Sequence, residues 1–400
     1  MNGSIKELKG TIYGPDFQFH PGRLVMENGL IREVMLADET VRTIFHEGGS
    51  GTSEAQMHAP YIIPGLIDIH FHGCMDKDVC DGTLEAIHTI ARYEASRGIT
   101  AICPATLTLP AEELKQILSQ AADFARWQKQ SGGGEPLSEL IGINMEGPFI
   151  SHEKKGAQNG KYIIPCDADL CRDFLRVSGG LVKIIGLAPE ANPDFEEYIA
   201  AVKDKVRISL AHTNADYDTA MRAIRAGASH AVHLFNAMPE MTHRAPGTVG
   251  AAADSEGVTA ELICDGNHVH PCVVRSAFRM FGDERIVLIS DSLRAAGMGD
   301  GEIMLGGQKV VISGTRATLK EGGNLAGSVS DLMGCLEHVV NEMHIPAEQA
   351  VRCATWNPAK VIGALESYGS LQPGKKADVL LLDGALRLCQ VYRRGQPLYG

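Results

Sequence analysis

Four hundred residues, 44% hydrophobic and 22% charged, have ordinary globular composition and enough length for one large α/β domain with a smaller companion. A formal net charge of −12 argues against a nucleic-acid partner, which selects for a basic face. No run approaches a membrane span, MNGSIKELKG has no apolar leader core, and ten scattered cysteines form no C-x-x-C pair. A cytoplasmic chain with reduced thiols is therefore expected.

Residues 1–62 read as short strands and turns. In RLVMENGLIREVML, Asn28-Gly29 supplies the two residues that tolerate positive φ, so a hairpin is predicted there. Residues 366–400 read alike, with short apolar runs in ADVLLLDGALRLCQVYRRGQPLYG broken by Asp383-Gly384 and Gly395. Neither end makes a core alone, and together they are expected to form one small β-sandwich.

Residues 63–365 alternate apolar runs with amphipathic helices. The runs are LIDIHFH, GITAICPAT, LIGINMEG, VKIIGLAPE, RISLAHT, HAVHLFN, VTAELICDG and RIVLISDS. Spacing of i, i+3, i+4 marks helices in LEAIHTIARYEAS, AEELKQILSQAADFARW and YDTAMRAIRAGAS. Apolar strands alternating with helices imply a parallel sheet under a helical layer. Eight such units predict a (β/α)8 TIM-like barrel. A doubly wound sheet is the alternative, but no glycine-rich nucleotide loop follows any strand.

Barrel chemistry collects at the carboxyl ends of the strands. In PGLIDIHFHG, alternation puts Asp68, His70 and His72 on one face of an otherwise apolar strand. Later strands end in Glu146-Gly-Pro, His212-Thr213-Asn214, His233-Leu-Phe-Asn236, Asp265-Gly-Asn-His268 and Ser290-Asp291-Ser292. Taken singly, each histidine is more simply a hydrogen-bonded structural residue. As a set, four histidines, a glutamate and an aspartate at one mouth are a mixed N/O ligand set for one or two divalent ions, zinc or iron. His20, His46, His58, His88, His338 and His344 fall outside this set and read as surface or packing residues. Lys154-Lys155 reads as a solvated loop pair.

PGLIDIHFHG, MEGPFISHEKKGAQN, the block from His212 to Gly250, CDGNHVHP and ISDSLRAAGMGDGE follow one another along nearly the whole chain, with GNLAGS, WNPAK and GSLQPGKKADVLLLD after them. Together they resemble the N-acetylglucosamine-6-phosphate deacetylase family of the amidohydrolase superfamily. The resemblance implies a barrel with a β-sandwich built from both termini. It also implies hydrolysis of N-acetyl-D-glucosamine 6-phosphate to glucosamine 6-phosphate and acetate, in a homodimer with composite sites. Glu146, His212 and His233 would hold the principal metal, and His70 and His72 could support a second. Many amidohydrolases bridge two metals with a carboxylated lysine from the fourth strand. LAPE offers none, so Glu146 takes that place.

By the same resemblance, Asp291 lies between metal and substrate, taking a proton from water and returning it to the departing amine. His268 would contact the carbonyl oxygen, and its alternative is a loop histidine bonded to Asp265. Substrate contacts are implied at Ala157, Gln158, Asn236, Ala237, His268 and Leu325, with Arg244 reaching in from the neighbouring subunit toward phosphate. Two other readings stay open. One keeps the machinery and changes the substrate to the galactosamine epimer. The other is a barrel that only binds, which the presence of Glu146, His212, His233 and Asp291 disfavours.

Overall fold

The computed structural model describes residues 5–37, 60–131 and 135–398, so His46 and His58 lie outside the described residues. Lys6–Tyr13 (β1) pairs antiparallel with Phe19–Glu27 (β2), which turns back into Leu30–Leu36 (β3). The turn is the expected one: Asn28 and Gly29 have φ of 53° and 80°, whose twist matches that of the flanking strands. Tyr61–Pro64 (β4) joins β1 in parallel.

Each of the eight apolar runs contains a strand. In order they are Leu66–Asp68 (β5), Ile99–Ile102 (β6), Ile143–Phe149 (β7), Val182–Leu187 (β8), Arg207–Leu210 (β9), His230–Ala231 (β10), Thr259–Ile263 (β11) and Ile286–Ile289 (β12). They neighbour one another in chain order and in parallel, with Ala105–Thr106, just past β6, making the bridge to β7. The ring closes beyond β12, where Asp291 N donates to His70 O at 2.9 Å and His72 N to Ser292 O at 2.7 Å. That contact brings the last run against the first, which a doubly wound sheet with two free edges does not do.

The helices follow from local signals. Leu84–Ser96 (α1) coincides with the predicted segment: Thr83 caps it by accepting from Ala86 N, and Ala86, Ile87, Ile90 and Ala91 form its buried face. Ala111–Gln130 (α2) buries Leu114, Ile117, Leu118 and Ala121 against the strands. Tyr217–Ala226 (α3) starts at an Asp216 cap and stops at Gly227, whose φ of 135° an L side chain rarely adopts. Among the described residues, no helix is long and apolar enough to cross a membrane.

After β12 the chain makes a four-stranded antiparallel sheet that the sequence reading did not anticipate. It runs through Gly301–Leu305 (β13), Gln308–Ser313 (β14), Arg316–Leu319 (β15) and Leu325–Ser328 (β16). Its buried side chains Leu305, Val310, Ile312, Ala317 and Ala326 pack on Leu107, Leu293 and Ala295 beside the barrel mouth. The chain ends with Val379–Leu382 (β17), Leu388–Arg393 (β18) and Gln396–Pro397 (β19). Both ends meet in one seven-stranded sheet, β19-β18-β17-β4-β1-β2-β3, over a core of Ile12, Leu24, Met26, Ile31, Ile62 and Val379.

Glu139 ties this sheet to the barrel. Its carboxylate receives Lys376 Nζ at 2.7 Å and lies 3.9 Å from Arg393. Burial works to raise its pKa, but Lys376, Tyr368 and Arg393 outweigh burial and hold it at about 2. Because the folded value lies below the ordinary 4.5, the stabilisation is full above pH 4.5 and is lost as pH falls toward 2. Glu139→Gln should cost about 3 kcal/mol at pH 7, and the gap to wild type should narrow at pH 3. Urea unfolding at the two pH values reads it, and an equal gap at both would refute the pairing as its source.

Candidate metal centre and active-site cleft

Three of the expected ligands sit where the backbone turns sharply out of a strand. His212, His233 and Asp291 have φ of 42°, 23° and 49°. Such left-handed backbone costs an L residue energy and is retained where the surrounding structure demands it. Here it comes two residues past the ends of β9, β10 and β12, and all three side chains line one cleft. Glu146 differs from expectation. It lies inside β7, which continues through Phe149 past an irregular register, and so projects from the strand rather than from its end.

The imidazoles are all anchored on one side. His212 Nδ1 bonds Lys154 O at 2.9 Å, His233 Nδ1 bonds Asn236 O at 3.1 Å and His72 Nδ1 bonds Ala105 O at 3.1 Å. His70 Nδ1 bonds a carboxylate, Glu261 Oε2, at 2.6 Å. Each acceptor requires N–H at Nδ1, which leaves a lone pair on each Nε2. Those four atoms converge. Glu146 Oε1 is 2.9 Å from His212 Nε2, 2.9 Å from His233 Nε2 and 3.3 Å from His70 Nε2. Across the carboxylate, Oε2 is 3.5 Å from His72 Nε2, which in turn is 3.4 Å from Asp291 Oδ1.

Two nitrogen lone pairs 3.3 Å apart, on His212 and His233, cannot bond one another, and neither can bond a carboxylate. His70 Nε2 is buried with no hydrogen-bond partner at all. A divalent cation is the group that lone pairs and carboxylates share, and imidazole with carboxylate suits zinc or iron. The donors fall into two overlapping groups, His70-Glu146-His233 and His70-His72-Asp291, all buried. Burial resists charge on Glu146, but positive charge among the facing nitrogens, whether a proton or a cation, outweighs it and holds the carboxyl well below the usual range. Asp291 is lowered likewise, burial being outweighed by His72 and His70.

Asp68 does not join them. Strand β5 stops at this residue, whose carboxylate accepts from His70 N at 3.1 Å, from Ser290 N at 3.3 Å and from the Ser290 hydroxyl. The expected polar row therefore splits, Asp68 holding the eighth run in place and the two histidines turning to the mouth.

The donors open into a cleft of about 590 Å³ lined by Ala157, Gln158, Asn236, Ala237, His268 and Leu325, all expected substrate contacts. Leu325 belongs to the unanticipated sheet, which forms that wall. Lys154 and Lys155 also border the cleft instead of standing apart in solvent. Gln158 is held between two partners: its Oε1 accepts from Thr108 N at 2.7 Å, which turns its amide N–H onto Glu146 Oε2. His268 has the Asp265 bond of its alternative reading and also lines the cleft. Its Nδ1 meets Asp265 Oδ2 at 2.8 Å, leaving Nε2 for the cleft, and although burial opposes it, Asp265 raises its pKa. Arg244 does not reach this cleft. It is exposed beside a separate surface depression with Asn214, Asp216 and Glu240. His20, His88, His338 and His344 do not line the cleft either.

Two buried residues of the site were missed, Glu261 and His230, bonded to each other at 3.0 Å. A signal existed: VTAELICDG carries a carboxylate in the middle of a run otherwise fit for full burial.

Comparison with known proteins agrees with this geometry. The Amidohydrolase family profile matches residues 61–396. N-acetylglucosamine-6-phosphate deacetylase of Bacillus subtilis (strain 168) is 34% identical, covering 93% of this chain and 94% of that one. N-acetylgalactosamine-6-phosphate deacetylase of Escherichia coli O157:H7 is 31% identical, covering 94% and 97%. Among solved structures, the Mycobacterium smegmatis N-acetyl-D-glucosamine-6-phosphate deacetylase in complex with N-acetyl-D-glucosamine-6-phosphate superposes with a TM-score of 0.86 at 28% identity, covering both chains in full. With convergent donor side chains, closed barrel and end-to-end matches in agreement, the chain belongs to the amidohydrolase family, among its amino-sugar-phosphate deacetylases.

Proposed function

We propose that this chain hydrolyses the acetamide of N-acetyl-D-glucosamine 6-phosphate, releasing acetate and D-glucosamine 6-phosphate. The observation that carries the reading is the placing of Asp291 and His268 on one cleft beside the convergent imidazoles. An amide carbonyl is a poor electrophile and water a poor nucleophile. A divalent ion, zinc or iron, held by Glu146, His212 and His233 and next to them by His70, His72 and Asp291, supplies carbonyl polarisation and easier ionisation of water.

The chain's own groups do the rest. Asp291, kept ionised, accepts a proton from the attacking water and delivers it to the departing nitrogen, which otherwise would leave as a prohibitively basic anion. His268, oriented through Nδ1 by Asp265, donates from Nε2 to the carbonyl oxygen as negative charge builds there. Asn236 and Ala237 line the cleft just after His233; the donors of Asn236 hold that turn on His233 O and Leu234 O, and the Ala237 N–H is the donor offered to phosphate. His268→Ala should lower kcat by about 100-fold with little change in KM, because the donated bond strengthens only in the transition state.

Arg244 is exposed and in no ion pair among the described residues, which suits a role completed across a homodimer. Arg244→Ala should then raise KM for the phosphorylated sugar and not for the unphosphorylated one. Ten free cysteines suit a reducing, cytoplasmic setting. The decisive assay is acetate release from N-acetylglucosamine 6-phosphate, with the galactosamine epimer and the unphosphorylated sugar in parallel. Release that needs phosphate supports the reading, release only from the epimer moves the substrate, and no release from any refutes it.

A further inference from the structure

Glu261 neither lines the cleft nor faces the proposed ions, and yet it organises them. It lies on β11 with no exposed surface, between the buried apolar residues Ala260 and Leu262. A carboxylate there carries a heavy desolvation cost and persists only where its bonds are needed. Its Oε2 accepts from His70 Nδ1 at 2.6 Å and from His233 N at 3.1 Å. Its Oε1 faces His230 Nε2 at 3.0 Å, and His230 Nδ1 meets Thr259 Oγ1 at 2.7 Å.

His70 is thereby unlike the other three imidazoles. His72, His212 and His233 are oriented by backbone carbonyls, whereas His70 alone is oriented by a charged side chain. A carboxylate partner fixes the tautomer and raises the basicity of the opposite nitrogen. That nitrogen, His70 Nε2, is the buried atom without a partner, and it is common to both donor groups. It lies 3.3 Å from Glu146 Oε1 and 3.9 Å from Asp291 Oδ1.

We propose that Glu261 is the positioning residue that makes the second metal position: through His70 it turns a one-ion site built on Glu146, His212 and His233 into a two-ion site reaching His72 and Asp291. The inference rests on the metal-dependent reading above, and it concerns ion number, not substrate.

The test counts ions. Chelated wild-type protein and variants are titrated with Co2+, followed by visible absorption and elemental analysis of the same samples. Wild type should take two ions per chain. Glu261→Gln, nearly the same size, should keep one tight ion and bind the second at least about 10-fold more weakly, the usual penalty for losing such a partner. His230→Leu removes the other arm of Glu261 and should still take two. Two ions at wild-type affinity in Glu261→Gln would overturn the proposal. So would equal loss in His230→Leu, which would make Glu261 merely structural. Should Glu261→Gln not fold, Glu261→Asp carries the same test, its shorter reach weakening the second ion alone. A wild type that takes no ion overturns this inference and the metal reading together. A count that falls from two to one while acetate release fails in wild type leaves the inference standing and removes only the substrate.

Discussion

Asp291→Asn should leave the fold and the bound sugar in place and lower kcat by about 10³-fold, in the range that positioned acid–base groups supply. The amide keeps the size of the carboxylate and can still meet His72, which lies 3.4 Å from Oδ1. The backbone anchors are unaffected: Asp291 N still donates to His70 O, and Ser328 N to Asp291 O. What disappears is an acceptor able to take a proton from water and give it to nitrogen, together with the charge that Asp291 brings to the His70-His72 donor group. KM should change little, since the lost step is made only in the transition state. Steady-state kinetics, with thermal unfolding as a control for the fold, check this. A kcat within tenfold of wild type would move the proton transfer to another group.

Glu146→Gln should have the larger effect on the centre itself. Its two oxygens face both donor groups, Oε1 toward His212, His233 and His70 and Oε2 toward His72. Partners one shell out cost 10–100-fold in metal affinity, so neutralising this central carboxylate should cost more than about 100-fold at either position. The amide keeps the volume, so thermal stability of the chelated protein should stay near wild type. Elemental analysis after dialysis against a fixed free-metal buffer reads the loss, and acetate release should fall with it. Retention of both ions would mean that the carboxylate packs against the centre without holding it.

The barrel was legible because its signals are local. Eight continuously apolar runs, capped helices such as the one opened by Thr83, and the Asn28-Gly29 turn each depend on neighbours a few residues away. The sheet from Gly301 to Ser328 was legible in principle, through the alternation at Val310 and Ile312 and the turns at Gly306-Gly307 and Gly314. It was masked by its position between barrel elements. Strand ends announced the converging donors, apart from Glu146 inside β7, because the barrel brings such ends to one mouth.

From its own residues the chain dictated eight parallel strands, paired termini and the six side chains whose donor atoms converge at the mouth. Tertiary structure decided which buried acid serves which histidine. Asp68, two residues away, turns to Ser290, and Glu261, from a strand far along the chain, orients His70. Period-two alternation holds only while a strand continues, and β5 ends at Asp68. It was likewise tertiary packing that set Gln158 on Glu146, laid Leu325 along the cleft and left Arg244 outside it. Each of those contacts joins segments whose approach is fixed by barrel closure and loop docking, and no local pattern of residues encodes that approach.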